Sequence, residues 1–382
     1  MKQTNSIKKN VISLMCCVCI ITANAATYSG GTGTAVDPYL LSNKADITTL
    51  VNTTADWGMQ FKLTADVDMA GETFHPIGNN ASAFTGGFDG NSMVVKNLTI
   101  TPSATQNNMA VGFFGKIQNA TIKNLGIINL TIDVKTTHER VGGIVGISEW
   151  NASLIQNCFV LGGSIAGQGR VGGIVGVIND NGSVIDCFAK ANVSDAWGSV
   201  GGIVGEIPSW STGASLTNVA FYGEMGNGNA IAGVKSGTIS RAYYVQSIGK
   251  NSDTNGTELT TTQLQTEANY VGFDFASKWK IIANNFAVLK SFSNTVYSGL
   301  STSIENTTIS SSENCKIYTL NSQIILPANT SEVKVISLNG MPLFQSAVAV
   351  TTINTALLQK GICILKLKTT TGESIVQKLT LN

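Results

Sequence analysis

The chain has 382 residues, of which 12% are charged, with 40 Gly, only 6 Pro and a formal net charge of +1. Few charges and many glycines fit a β-rich extracellular protein and argue against a helical or disordered chain. The near-neutral balance offers no electrostatic footprint for nucleic acid or an anionic membrane surface.

The first 25 residues read as a targeting segment. Lys2, Lys8 and Lys9 form a basic end, residues 11–21 an apolar core, and Ala23-Asn24-Ala25 a small-residue cleavage site. This is the pattern of a secretory signal peptide cleaved after Ala25. The apolar run is shorter than the roughly 20 residues a membrane span needs. No later stretch is long enough, so no transmembrane span is expected in the mature protein. Leu14-Met15-Cys16 lacks the small residue expected before a lipidated cysteine. Cys158, Cys187, Cys315 and Cys363 remain after cleavage, in a compartment that permits disulfides.

Residues 26–90 are Gly-rich and polar, with a short helix predicted over 44–52 and a strand over 61–69. They are expected to form an N-terminal cap, because the end of a stack must cover an open edge. A repeat then sets in. V-G-G-I-V-G stands at residues 141–146, 171–176 and 200–205, with worn copies before and after. The closing glycines are Gly115, Gly146, Gly176, Gly205 and Gly233. Such a period is the signature of a solenoid. Between these motifs lies a second block, in which Asn97, Asn124, Asn157, Asp186, Asn218 and Arg241 precede an apolar residue. A side-chain amide repeated at one turn position can hydrogen-bond to its counterpart in the next coil. Downstream of the block, Cys187, Ala189, Ala191 and Val193 fall on one face of a strand, and Phe188, Lys190, Asn192 and Ser194 on the other. The predicted fold is all-β, a right-handed parallel β-helix with coils of about 30 residues over 91–250 and a C-terminal cap over 251–290.

These residues resemble the GLUG-motif repeat family of bacterial surface proteins. The resemblance covers residues 31–292. It rests on the three V-G-G-I-V-G copies, F-x-G-x-F-D-G at 84–90 and the opening G-T-G…D-P-Y-L. The tail, with Leu259, Leu264, Trp279 and Val288, matches a closing helix and strand. What the resemblance implies is a secreted or surface-exposed β-helix without assigned catalysis.

Residues 291–314 are rich in Ser, Thr and Asn and read as a linker. Residues 315–382 hold some seven short strands, which read as a small β-sandwich. The L-x-G turn at 338–340, the L-x-x-G-I element at 358–362 and the last strand with Lys378 resemble the C-terminal sorting domain of the type IX secretion system of Bacteroidota. Cys363 stands where that family often has Tyr. The resemblance implies export across the outer membrane by the type IX machinery, acting on residues 315–382.

Trp150 and Trp210 each follow a glycine motif, two coils apart with Asp180 at the place between, and exposed indoles at that pitch can stack on alternate rings of a glycan; the alternative is a pair of partly buried loop anchors. Arg140 and Arg170 occupy one position in adjacent coils and can hold an acidic sugar, or be solvated. Asp66 and Asp68 share a strand face, as an acid pair or as turn residues. His75 and His138 are the only histidines. Nothing has metal-ligand spacing, and Asp253–Glu258 has calcium-loop composition without the ligand spacing. No cofactor is expected. Phe159, Phe188 and Tyr243 form a stripe, read as aromatic stacking or as a docking face. Cys158 and Cys187 share a coil position and are expected to be buried thiols. The leading reading is a non-catalytic adhesion scaffold for extracellular glycans or host proteins. The alternative is a polysaccharide lyase or glycosidase on the same scaffold.

Overall fold

The structure is a computed structural model. It describes residues 27–101, 110–134, 140–150, 152–195, 198–226, 228–245, 255–282 and 285–297, and within 318–381 the strands given below with their short flanks. The chain divides into two compact units, residues 1–280 with 288–292, and residues 281–287 with 293–382.

The first unit is the parallel β-helix. Its largest sheet runs through Tyr39–Leu41, Gln60–Leu63, Gly87–Lys96, Thr121–Asp133, Leu154–Gln156, Ser183–Asp195, Ser215–Phe221, Thr238–Val245 and Thr257–Leu259, each parallel to the next. A second sheet stacks Phe114–Ile117, Val145–Ser148, Val175–Ile178, Val204–Glu206 and Ala232–Val234. A third stacks Ala110–Val111, Arg140–Gly142, Arg170–Gly172 and Ser199–Gly201. One coil alone leaves its apolar face open. Stacking buries a continuous row, as in Ile122, Ile155, Val184 and Leu216, all fully buried in one core. The ladder starts at Tyr39, well before the boundary at residue 91 that the repeats indicated. The predicted helix forms as Lys44–Asn52, capped by the Asn43 side chain, and buries Ile47, Leu50 and Val51 in the core.

The repeated glycines are set by close approach of backbones. Gly115, Gly146, Gly176, Gly205 and Gly233 form one row of the second sheet. A Cβ on any of them would lie 2.5–2.6 Å from a backbone N or O of a neighbouring stretch of chain. None of the five has positive φ. V-G-G-I-V-G is thus the turn at which the third sheet passes into the second, with no room between them for a side chain.

The asparagine ladder forms, with one change of register. Asn124, Asn157, Asp186, Asn218 and Arg241 all sit at φ 52–54°, a region that Asn and Asp tolerate better than most residues. Asn157 donates to Asn124 at 2.7 Å, Asn218 to Asp186 at 2.8 Å, and Arg241 to Asn218 at 2.6 Å. Asn97 does not belong to this ladder. A bulge after Asp89 shifts the register, so Asp89 caps the first ladder through Asn124. Asn97 instead joins a second one, linked to Asp68 at 2.9 Å and to Asn129 at 2.8 Å.

The tail of this unit is a strap along the side of the coils. Phe159 and Phe188 stack with centroids 5.0 Å apart and planes 6° off parallel, and Tyr243 continues their row past Ala220. The row points outward, yet it is buried. Tyr270 and Phe273 cover Tyr243, Trp279 approaches Phe188, and Phe292 meets Phe159 edge-on at 4.8 Å. Polar bonds fix the strap to the ladder. Trp279 Nε1 and Lys278 Nζ each lie 3.4 Å from Asp186, and Asn157 donates to Ser291 Oγ at 3.0 Å. The stripe read as a docking face is therefore occupied by the chain's own tail. Ser291 and Phe292, expected in the linker, are packed, and residues 298–314 lie outside the described residues. The closing helix implied by the resemblance is absent from the described part of the tail. Two three-residue 3-10 turns, Gln263–Gln265 and Glu267–Asn269, stand there before Gly272 at φ 86°.

The second unit is a two-sheet sandwich. Tyr318–Leu320, Gln323–Ile325 and Thr352–Asn354 form one antiparallel sheet. Thr330–Ser337, Pro342–Ser346, Gly361–Thr369 and Ser374–Leu381 form the other. Ile324 and Ile353 of the first share a core with Val333, Val335, Cys363, Leu365 and Leu367 of the second.

Cys158, Cys187 and Cys363 are free and buried, and Cys315 lies outside the described residues. Burial, with the Cys158 thiol beside it, pushes the Cys187 thiol well above its usual range. Iodoacetamide is expected to leave Cys158 and Cys187 unmodified in native protein and to modify both in concentrated urea. Peptide mass mapping reads this, and alkylation of either thiol in the native protein would contradict the packing.

Candidate functional site

Each strand of the second sheet ends in a turn that leads back to the first, and two of these turns display an indole. Among the described residues Trp150 is 62% exposed and Trp210 68%. Trp150 has φ 53° and its counterpart one coil on, Asp180, has φ 60°. A bulky residue is rare in that region, and such strain persists only where neighbours enforce it. The Asp180 carboxylate accepts the Trp150 backbone N–H at 3.0 Å. The Trp150 indole N–H donates to Glu149 Oε2 at 3.3 Å, and Glu149 pairs with Lys116 at 2.7 Å. One coil on, the Asp180 backbone N–H donates to the buried Ser211 Oγ at 2.9 Å. The Ser211 N–H closes on Pro208 O at 2.9 Å, around Ser209 and Trp210. Polar bonds across successive coils thus fix the backbone under both indoles and leave the rings open.

Arg140 and Arg170 are register neighbours in the third sheet. Arg170 Nε lies 2.5 Å from Glu206 Oε2, so its charge is answered within the protein. The arginines open third-sheet strands and the tryptophans follow second-sheet strands, so the pairs occupy different rows. Glu206 was legible as a break in pattern. It takes the row position held by Ile147 and Val177 in the preceding coils. Glu149 carried no such signal, whereas the repeat spacing itself puts Asp180 at the place between the two tryptophans.

The acid pair has other work. Asp66 accepts the Val94 N–H at 3.0 Å. Asp68 accepts Asn97 Nδ2 at 2.9 Å and the Ala70 N–H at 3.0 Å, bonds that hold its carboxyl below the usual range. His75 Nδ1 donates to Thr101 O at 2.6 Å. His138, Asp253 and Thr254 lie outside the described residues. Among the described residues no three His, Cys, Asp or Glu side chains are grouped to hold a metal ion.

No protein-family profile matches the chain. Over 162 residues, 40% of its length, it is 35% identical to halomucin of Haloquadratum walsbyi. Over 131 residues, 32% of its length, it is 30% identical to a protein of Evansella cellulosilytica named provisionally as a Gly-rich membrane protein. These stretches span only 2% and 15% of those two proteins. Among solved structures it is similar to a Bacteroides ovatus protein provisionally described as an immunoglobulin A1 protease. The TM-score is 0.51 and the identity 22%, over 70% of this chain and 96% of that one. The likeness is one of fold. No helix among the described residues is long and apolar enough to cross a membrane.

Proposed function

We propose that this chain is a secreted or cell-surface β-helix protein that binds extracellular glycans, without catalysis, through the Trp150–Trp210 edge. The display of two open indoles on pinned turns carries this reading. Two coils separate the turns that carry the tryptophans by about 10 Å along the stack, a pitch suited to alternate sugar rings. A rigid aromatic face loses little entropy on binding. Membership of the GLUG-repeat class and delivery by the type IX secretion machinery through residues 315–382 belong to the same proposal. The signal-peptide pattern and the C-terminal sandwich support a place outside the cell. The lyase or glycosidase alternative has less support, because Asp66, Asp68 and Arg170 are bonded into turns, ladder and ion pair.

On a glycan array, Trp150→Ala is expected to weaken binding about tenfold, the worth of one aromatic stacking contact, and Trp210→Ala to do the same. Unchanged binding by both variants would remove this edge from the site. For export, mass spectrometry of the culture medium should find the full chain's β-helix and should miss a variant lacking residues 315–382. Release of that variant into the medium would contradict the assignment.

A further inference from the structure

We infer that the Trp150–Trp210 edge selects uncharged glycans and turns away acidic ones, with Asp180 as the selecting group; this rests on the binding reading above. The sequence pointed the other way, since stacked Arg140 and Arg170 suit an acidic sugar. The structure distributes the charges differently. Arg170 is held by Glu206 in another row. On the indole edge, Glu149 is answered by Lys116 at 2.7 Å. Asp180 lies in the coil between the two tryptophans. Its carboxylate accepts one backbone N–H, from Trp150, and among the described residues no cation pairs with it. It is only half-buried, so its remaining acceptor capacity is open to a ligand lying across both rings.

A sugar hydroxyl there gains a charge-assisted hydrogen bond. A uronate carboxylate or sulfate there meets a like charge at contact range, where repulsion near a protein surface is strong enough to change affinity about tenfold or more. The same carboxylate that pins the strained Trp150 backbone therefore sets which polymers can lie on the ring it positions.

The test uses the full chain and matched polymers. Dextran, laminarin and mannan are screened by affinity electrophoresis and calorimetry, and each is compared with its own carboxymethylated derivative. The carboxymethylated form of a bound polymer is expected to bind about tenfold more weakly, and added salt should shrink the gap by screening. Asp180→Asn keeps an acceptor for the Trp150 N–H and tolerates the left-handed backbone. It is expected to bring the ratio of the two affinities to within about threefold of one. Equal or tighter binding of the acidic form by the wild type, or an unchanged ratio in Asp180→Asn, would overturn the selection while leaving the binding reading intact. Absence of binding to any polymer, or binding insensitive to both Trp150→Ala and Trp210→Ala, would overturn the binding reading and the selection with it.

Discussion

Gly172→Ala is expected to destabilise the β-helix by about 3 kcal/mol, at the upper end of what overpacking costs. A Cβ there would meet backbone on all sides, the Val175 and Ile203 carbonyls and the Gly205 nitrogen. Backbone laddered in two sheets cannot step aside as a flexible side chain can. Native proteins are stable by only about 5–15 kcal/mol, so the loss is large and Gly172→Val should fail to fold. Gly226→Ala is the control. Among the described residues, its chain neighbours aside, nothing lies within 4 Å of its Cβ position, and its φ is not positive. It should stay within about 0.5 kcal/mol of wild type. Urea denaturation followed by circular dichroism measures both. Equal stability of Gly172→Ala and Gly226→Ala would show that the motif glycines are not packing residues.

Asp186→Ala is expected to release the strap. Asp186 is buried and accepts from Asn218, and Trp279 and Lys278 reach it from the tail. Alanine would leave these donors without their acceptor and would carry the strain of φ 52°. The combined loss is about 3 kcal/mol. The tail should then become open to proteolysis around residues 264–292, and the uncovered Phe159–Phe188 row should bind a hydrophobic dye. Asp186→Asn keeps an acceptor and tolerates the backbone, so it should cost about 1 kcal/mol and leave the tail protected. Limited proteolysis read by mass spectrometry separates the two variants. An Asp186→Ala protein cut no faster than wild type would mean that the rings alone hold the strap.

The coils were legible because each repeats the same local demands. Glycine recurs where two backbones touch, Asn or Asp where φ must be positive, and apolar residues at alternate positions where one face is buried. Cys187, Ala189, Ala191 and Val193 are all buried, as their parity required. Other features had no local signal. Whether Asn97 belongs to the first or the second ladder depends on the bulge after Asp89, which a period of alternating residues does not reveal. The strap's contacts join residues 93 and 134 positions apart, Trp279 to Asp186 and Ser291 to Asn157. No sequence period encodes such a distance. The site was half legible. Tryptophan in a polar turn stands out in a sequence. The bond from the Trp150 backbone to Asp180, the Glu149–Lys116 pair and the loss of Arg170 to Glu206 become visible only when coils are placed in register.

Stacking in register is the claim on which the rest depends, and spin-label distances test it most directly. Thr121, Leu154, Ser183, Ser215 and Thr238 form one row, with Thr121 and Thr238 exposed and Ser183 half-buried. Labels at Thr121 and Ser183, two coils apart, should have backbones about 10 Å apart, and labels at Thr121 and Thr238, four coils apart, about 19 Å. Electron paramagnetic resonance should therefore show separation growing by about 4.8 Å for each coil between the labels. Separations that do not grow with the number of intervening coils would contradict the stack.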